Sequence, residues 1–184
     1  MGKQYSEISE KHRGFIEQQK IFFVASATAD SRINVSPKGM DSFKVVDKNR
    51  VVWLNATGSG NETSAHVQQQ PRMTIMFMAV EGNPLILRLY GRAKVIHKKD
   101  PQWDELLSLF PSIPATRQFF DVTIEMVQTS CGMAVPFYDY VEGREQLNVH
   151  NAKQGDAKIN EYWQAKNQVS IDAIPSHIVS KNIG

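Results

Sequence analysis

The chain has 184 residues, 41% of them hydrophobic and 22% charged, with a formal net charge of +2. That length supports one sizeable core rather than two, and that composition excludes disordered, fibrous and membrane-spanning classes. Lys and Arg are interspersed with Asp and Glu, so no basic block marks a nucleic-acid partner, and a single Cys131 without Cys-x-x-Cys or His-x-x-x-His spacing points to neither an internal disulfide nor a zinc site.

The first segment, about Ser6 to Gln19, sets Ile8, Phe15 and Ile16 at helical spacing and reads as an N-terminal docking helix within residues 1–20. Its start, Met-Gly-Lys-Gln-Tyr-Ser-Glu-Ile, lacks the apolar core of a secretory signal, and no later run approaches a membrane span, so the expected location is cytoplasmic. Ile21 to Thr28 is rich in β-formers; after the turn Ala29-Asp-Ser-Arg32, the segment Ile33 to Lys38 pairs back as a hairpin, with Pro37 limiting pairing on one side. A third strand, Val51 to Asn55, runs into Ala56-Thr-Gly-Ser-Gly60, where Asn61 is placed to cap a short helix that stops before Pro71. Strand, glycine loop and helix in that order present backbone N–H groups to an anion.

Met73 to Val80 is apolar at every position but one and is expected to be buried on both faces. Leu85 to Ile96 alternates, with Leu85, Leu87, Leu89, Ala93 and Val95 on one face and Arg88, Tyr90, Arg92 and Lys94 on the other. Asp100-Pro101 reads as a helix start, followed by Trp103, Leu106, Leu107 and Phe110 at helical spacing and a stop at Pro111. Phe120 to Met126 alternates again as the long strand that completes the sheet. Residues 131–184 form a loop-rich extension with one last helix after Asp156, carrying Ile159, Tyr162 and Trp163. About six strands with irregularly placed helices, and no strand–helix–strand alternation, give an α+β class: one domain, mainly an antiparallel six-stranded split β-barrel with flanking helices.

Five blocks carry a likeness to a known family. They are Ala25-Ser-Ala-Thr28 with Val35-Ser-Pro-Lys-Gly39, Leu54-Asn-Ala-Thr-Gly-Ser-Gly-Asn-Glu-Thr63, Leu87-Arg-Leu-Tyr-Gly-Arg92, Ser130-Cys-Gly-Met-Ala-Val-Pro136 and Ser170-Ile-Asp-Ala-Ile-Pro175. In this order the chain resembles the pyridoxamine 5′-phosphate oxidase-like flavin-binding family. The resemblance implies a split barrel that binds flavin mononucleotide (FMN) at a homodimer interface. It places Ser36 and Lys38 beside the flavin ring, and Asn55 with Gly58, Ser59, Gly60, Asn61, Glu62 and Thr63 along the ribityl and phosphate end. Lys38 and Arg88 are the candidate charges. A phosphate dianion needs several N–H and hydroxyl donors, glycines admit the backbone closely, and a cation near the ring stabilises the reduced anionic flavin.

Two departures bear on activity. Where the authentic oxidases have a basic pair entering the short helix, this chain has Asn61-Glu62-Thr63, and a carboxylate there repels phosphate unless it turns away or accepts a backbone hydrogen bond. The Trp- and Arg-rich substrate motifs of the oxidases have no counterpart in Ile174 to Lys181, so oxidation of a vitamin B6 phosphate is not assigned. The expected function is an FMN-dependent oxidoreductase on an unidentified small molecule, with NAD(P)H as a candidate donor and no catalytic acid or base named. The alternatives are a non-catalytic flavin carrier, or a relative of the same barrel that binds haem or a deazaflavin. Simpler readings stand beside each signal: the glycine loop as a tight turn, Lys38 as a solvated hairpin residue, and Arg88 and Arg92 paired with Glu125. Trp103, Trp163 and Met73 to Met78 read as core, His66 as surface or structural unless it faces the cofactor, and Cys131 as a buried thiol.

Overall fold

A computed structural model describes residues 2–183. Eight antiparallel strands form a single curled sheet. They are β1 (Lys3–Tyr5), β2 (Phe22–Ser26), β3 (Asn34–Lys38), β4 (Phe43–Val45), β5 (Arg50–Ala56), β6 (Arg72–Met78), β7 (Ile86–Ile96) and β8 (Thr116–Ser130). The order is β3-β2-β6-β7-β8-β5-β4, with β1 added on β8. The two edges, β3 and β4, follow each other in the chain but are not hydrogen-bonded, and that gap is the split of the barrel. The six expected strands are all present; β1 and β4 are three-residue additions too short for alternation to reveal.

Helix α1 (Glu10–Gln18) begins at Ser9, whose side chain accepts from the His12 N–H while the His12 ring accepts from the Ser9 N–H. The helix starts later than Ser6, because Ser9 caps it, so Ile8 is buried ahead of the helix rather than on it, while Ile16 is buried and Phe15 packs against the main core. The first hairpin forms as expected, Ser26 opposite Asn34, and Pro37 sits on the edge strand, where a missing N–H costs nothing. Gly91 belongs to a close approach: at the irregularity between Tyr90 and Gly91, a Cβ would stand 2.3 Å from the Thr123 carbonyl oxygen.

Burial corrects two expectations, one in β6 and one at Cys131. In β6, Met73, Ile75 and Phe77 are buried, whereas Thr74, Met76 and Met78 are only half-buried. The strand buried on both faces is β5: Val51 and Trp53 join the main core, and Val52 and Leu54 join a second cluster with Ile96, Leu106, Phe110 and Phe119. The cause is α3 (Trp103–Leu107), which covers the far side of β5. That helix starts later than Asp100, whose carboxylate accepts from the His97 N–H instead of capping. The last helix, α4 (Gln146–Lys166), starts earlier than expected and breaks at Gly155 (φ 69°). Its buried Ile159 and Trp163 pack with Ile178 in a third cluster. Cys131, expected as a buried thiol, is instead exposed just past the end of β8, because the chain leaves the sheet there. Among the described residues no helix is long and apolar enough to cross a membrane.

Candidate functional site

Beside the split lies a cleft of about 710 Å³, within the size range of small-molecule sites. Its walls come from β3, the turn after it, the end of β5, the glycine loop and the start of α2 (Glu62–Gln69). Ser36, Lys38, Asn55, Gly58, Ser59, Gly60, Asn61, Glu62 and Thr63 all line it. Arg88 does not: it points from the outward face of β7, where its Nη1 is 3.2 Å from Ser130 Oγ. Among the described residues no ion pair joins Glu125 to Arg88 or Arg92.

Arg117, at the start of β8, is the residue that periodicity missed. It is 3% exposed, and its Nη1 donates to the Gly60 carbonyl (2.9 Å) and to Asn167 Oδ1 (2.7 Å). The Asn55 amide, oriented by its surroundings, accepts from Arg117 Nη2 at 3.0 Å and from Gln118 Nε2 at 3.1 Å. Gln118 Nε2 also donates to Asn61 Oδ1 (2.7 Å), and Asn61 Nδ2 donates to the Asn167 carbonyl (3.3 Å). This network takes the Asn61 side chain away from the helix start, so Asn61 occupies the N-cap position without capping, contrary to the expectation from its type. It also engages the carbonyls of Gly58, Ser59 and Gly60 from Arg117 and Asn167, anchoring the loop from behind. The signal available in sequence was Arg117-Gln118 set directly before Phe119-Phe120, two polar residues at the head of a buried strand.

The electrostatics of the cleft are one-sided. Burial, reinforced by the charge of Arg117, lowers Lys38 to about 8, and its Nζ stands 5.2 Å from the Trp53 ring centroid. Burial likewise lowers Arg117 to about 10. Among the described residues neither cation is ion-paired with a carboxylate. Two acids at the cleft are already engaged. Glu62 Oε2 accepts from the Ile171 N–H (2.9 Å), so its carboxylate is turned to the C-terminal segment. Asp172 pairs with Arg32, and the Arg32 N–H donating to it holds its carboxyl below the usual range. His66, which also lines the cleft, is buried; its Nδ1 lies 3.1 Å from Ser26 Oγ and its Nε2 has no partner. Two uncompensated cations, a glycine loop with free N–H positions, hydroxyls at Ser36, Ser59 and Thr63, and a buried imidazole nitrogen without a partner fit a bound anion.

The family described as pyridoxamine 5′-phosphate oxidase matches residues 8–131, from the docking helix to the end of β8. The chain belongs to that family. A relative, the pyridoxamine 5′-phosphate oxidase family protein ustO of Aspergillus flavus, is 36% identical over 140 residues, covering 73% of this chain and 56% of that protein. The chain thus spans little more than half of that relative's length. Among solved structures, HupZ of Group A Streptococcus aligns with a TM-score of 0.52 at 16% identity, over 65% of this chain and 91% of that one. HutZ of Vibrio cholerae, described as a heme storage protein, aligns with a TM-score of 0.51 at 15% identity, over 68% and 97%. At such identities these two establish the shared fold. The family match ends at Cys131, whereas Leu147, Asn167 and Ile171, which lie beyond it, line or brace the cleft.

Proposed function

We propose that the chain is an FMN-dependent oxidoreductase that acts on a small molecule, with the flavin held in the cleft and shared across a homodimer. The observation that carries this reading is the pair Lys38 and Arg117, two cations facing one glycine loop with no carboxylate to neutralise them. A phosphate at the loop would meet the backbone N–H groups and Ser59, with Arg117 behind the loop fixing its carbonyls away from the anion. Lys38, in the opposite wall, would hold positive charge beside the ring, while Trp53, Leu54 and Met40 give that end an apolar lining that excludes water. FMN, when bound, supplies hydride and single-electron transfer. The protein's part is to bind, orient and tune, and NAD(P)H is the donor to try first.

The homodimer is supported by the half-buried outward face of the sheet, where Met76 and Met78 of β6 lie beside Arg88 and Tyr90 of β7 and where, among the described residues, no element covers them. The carrier reading has one observation in its favour: the carboxylates of Glu62 and Asp172 beside the cleft are already engaged by backbone N–H groups, and among the described residues His66 Nε2 is left as a lining nitrogen without a partner.

The absorption spectrum of the purified protein, with the mass of the molecule released on denaturation, tests the proposal. One FMN per chain, bleached by reduced nicotinamide, is the expected result. A flavin that no reduced donor bleaches favours the carrier. A Soret band, or a colourless protein that takes up no FMN from excess, overturns the flavin reading.

A further inference from the structure

The segment from Asn167 to Ser176 lies outside the family-matched residues and folds back onto the cleft. Its two feet are fully buried. At one, Asn167 Nδ2 donates to the Gly58 carbonyl (3.2 Å); at the other, Ser176 Oγ donates to the Asn167 carbonyl (2.5 Å) and the Ser176 carbonyl accepts from Gln68 Nε2 of α2 (2.9 Å). Between the feet the chain is tied to itself: Ser170 Oγ accepts from the N–H groups of Asp172 (3.2 Å) and Ile174 (3.1 Å). Ala173 and His177 take positive φ angles of 60° and 57°, a shape that these contacts must impose.

Two carboxylates then tie the tip of this loop, one to α2 and one to the first hairpin. Glu62 of α2 accepts the Ile171 N–H (2.9 Å). Asp172 reaches the Arg32 guanidinium and accepts the Arg32 N–H (2.8 Å) at the turn of the first hairpin. The result sets Ile171, 72% exposed, at the cleft with Ile33 and Leu147, two more exposed aliphatic side chains from separate parts of the chain. Three exposed aliphatic groups on one opening make an apolar lip.

We propose that Asn167–Ser176 is a wall of the binding site, that Glu62 is the positioning residue that latches it, and that Ile171 with Ile33 and Leu147 forms an apolar lip that shields from water a ligand anchored at the glycine loop. The proposal rests on the flavin reading for the ligand's identity, but the latch itself does not. It also gives Glu62 a role opposite to that of a carboxylate that merely repels phosphate.

The test uses the full-length chain, Glu62→Gln, and Ile171→Ala, with hydrogen exchange of residues 168–175 measured without ligand and FMN release measured by fluorescence. In E62Q, exchange at the Ile171 amide should rise about tenfold and FMN should leave about tenfold faster, as expected when a charge-assisted bond is replaced by a weaker neutral one. In I171A exchange should stay unchanged while release quickens several-fold, because only the lip is altered. Tighter FMN binding in E62Q, or unchanged exchange, overturns the latch; unchanged release in I171A overturns the lip. If no FMN binds the parent chain, the flavin reading fails, while the exchange experiment still decides the latch.

Discussion

The main core and the network under the glycine loop are both buried, yet they are built on different terms. The core around Phe22, Val24, Ile75, Phe77, Leu89 and Phe120 consists of apolar side chains on alternate positions of paired strands, where most contacts can be made by more than one residue type. The network of Asn55, Asn61, Arg117, Gln118 and Asn167 is held by directional hydrogen bonds, Arg117 Nη1 and Gln118 Nε2 each serving more than one acceptor, between groups drawn from three distant parts of the chain. Area buried governs the first, and directional pairing governs the second. Stability should therefore reside mainly in the core and ligand affinity mainly in the network.

The largest expected effect tests the core side of that contrast. Phe77, stacked on Phe22 and edge-on to Phe43, does not line the cleft, so Phe77→Ala should cost about 3–5 kcal/mol in a urea titration. The FMN affinity of the folded fraction should stay within about twofold, since 1.4 kcal/mol is a factor of ten. Loss of affinity beyond that would show that core and site are one unit.

Arg117→Met should invert the pattern. Removing a desolvated cation relieves a folding cost but strands the Gly60 carbonyl and Asn167 Oδ1, so the two contributions offset and stability should change by about 1 kcal/mol or less. FMN affinity, read by fluorescence quenching, should fall on the order of 100-fold, about 2.7 kcal/mol. A large stability loss with intact affinity would place Arg117 with the core.

Lys38 gives a pH signature with two opposite signs. Its folded pKa of about 8 lies below the ordinary 10.5, so between those values the unfolded chain holds the proton and the folded one does not. The ligand-free protein should therefore gain stability as pH rises from 8 to 10.5, while FMN affinity falls as Lys38 loses its charge, with a midpoint at or above 8 because a bound anion favours the ammonium. Lys38→Met should remove both slopes and weaken FMN about tenfold at pH 7 while leaving turnover of the loaded protein largely intact. Intact affinity with abolished turnover would make Lys38 catalytic instead. The smallest effect belongs to Ser59→Ala, an exposed hydroxyl at the cleft, which should weaken FMN only about threefold without moving the thermal midpoint.

How much was legible in the sequence follows the same division. The hairpin from Phe22 to Lys38, the alternation of β7 and the helical spacing of Phe15 and Ile16 could be read because burial repeats at the period of the element. Two-sided burial was assigned to Met73–Val80 and belongs instead to β5, since whether a second layer covers a strand depends on where α3 lands. The capping roles expected of Asn61 and Asp100 failed for a related reason: each polar side chain has a stronger demand elsewhere, Asn61 from Gln118 and Asn167, Asp100 from the His97 N–H. Nine of the ten expected site residues line the cleft because they come from two continuous blocks, whereas Arg88 came from a third whose outward face looks away.

By itself the sequence determined the antiparallel α+β class, the strand–loop–helix that lines the cleft and the kinship with the pyridoxamine 5′-phosphate oxidase family, since all of these are written in local periodicity or contiguous motif. The tertiary structure alone decided that Arg117 lies under the loop, that the Glu62 carboxylate is taken by the Ile171 N–H, and that residues beyond the family match form part of the cleft. The physical reason is range: periodicity reports which face of an element is buried, but the partner of a buried polar group is chosen by a chain segment 50 to 109 residues away.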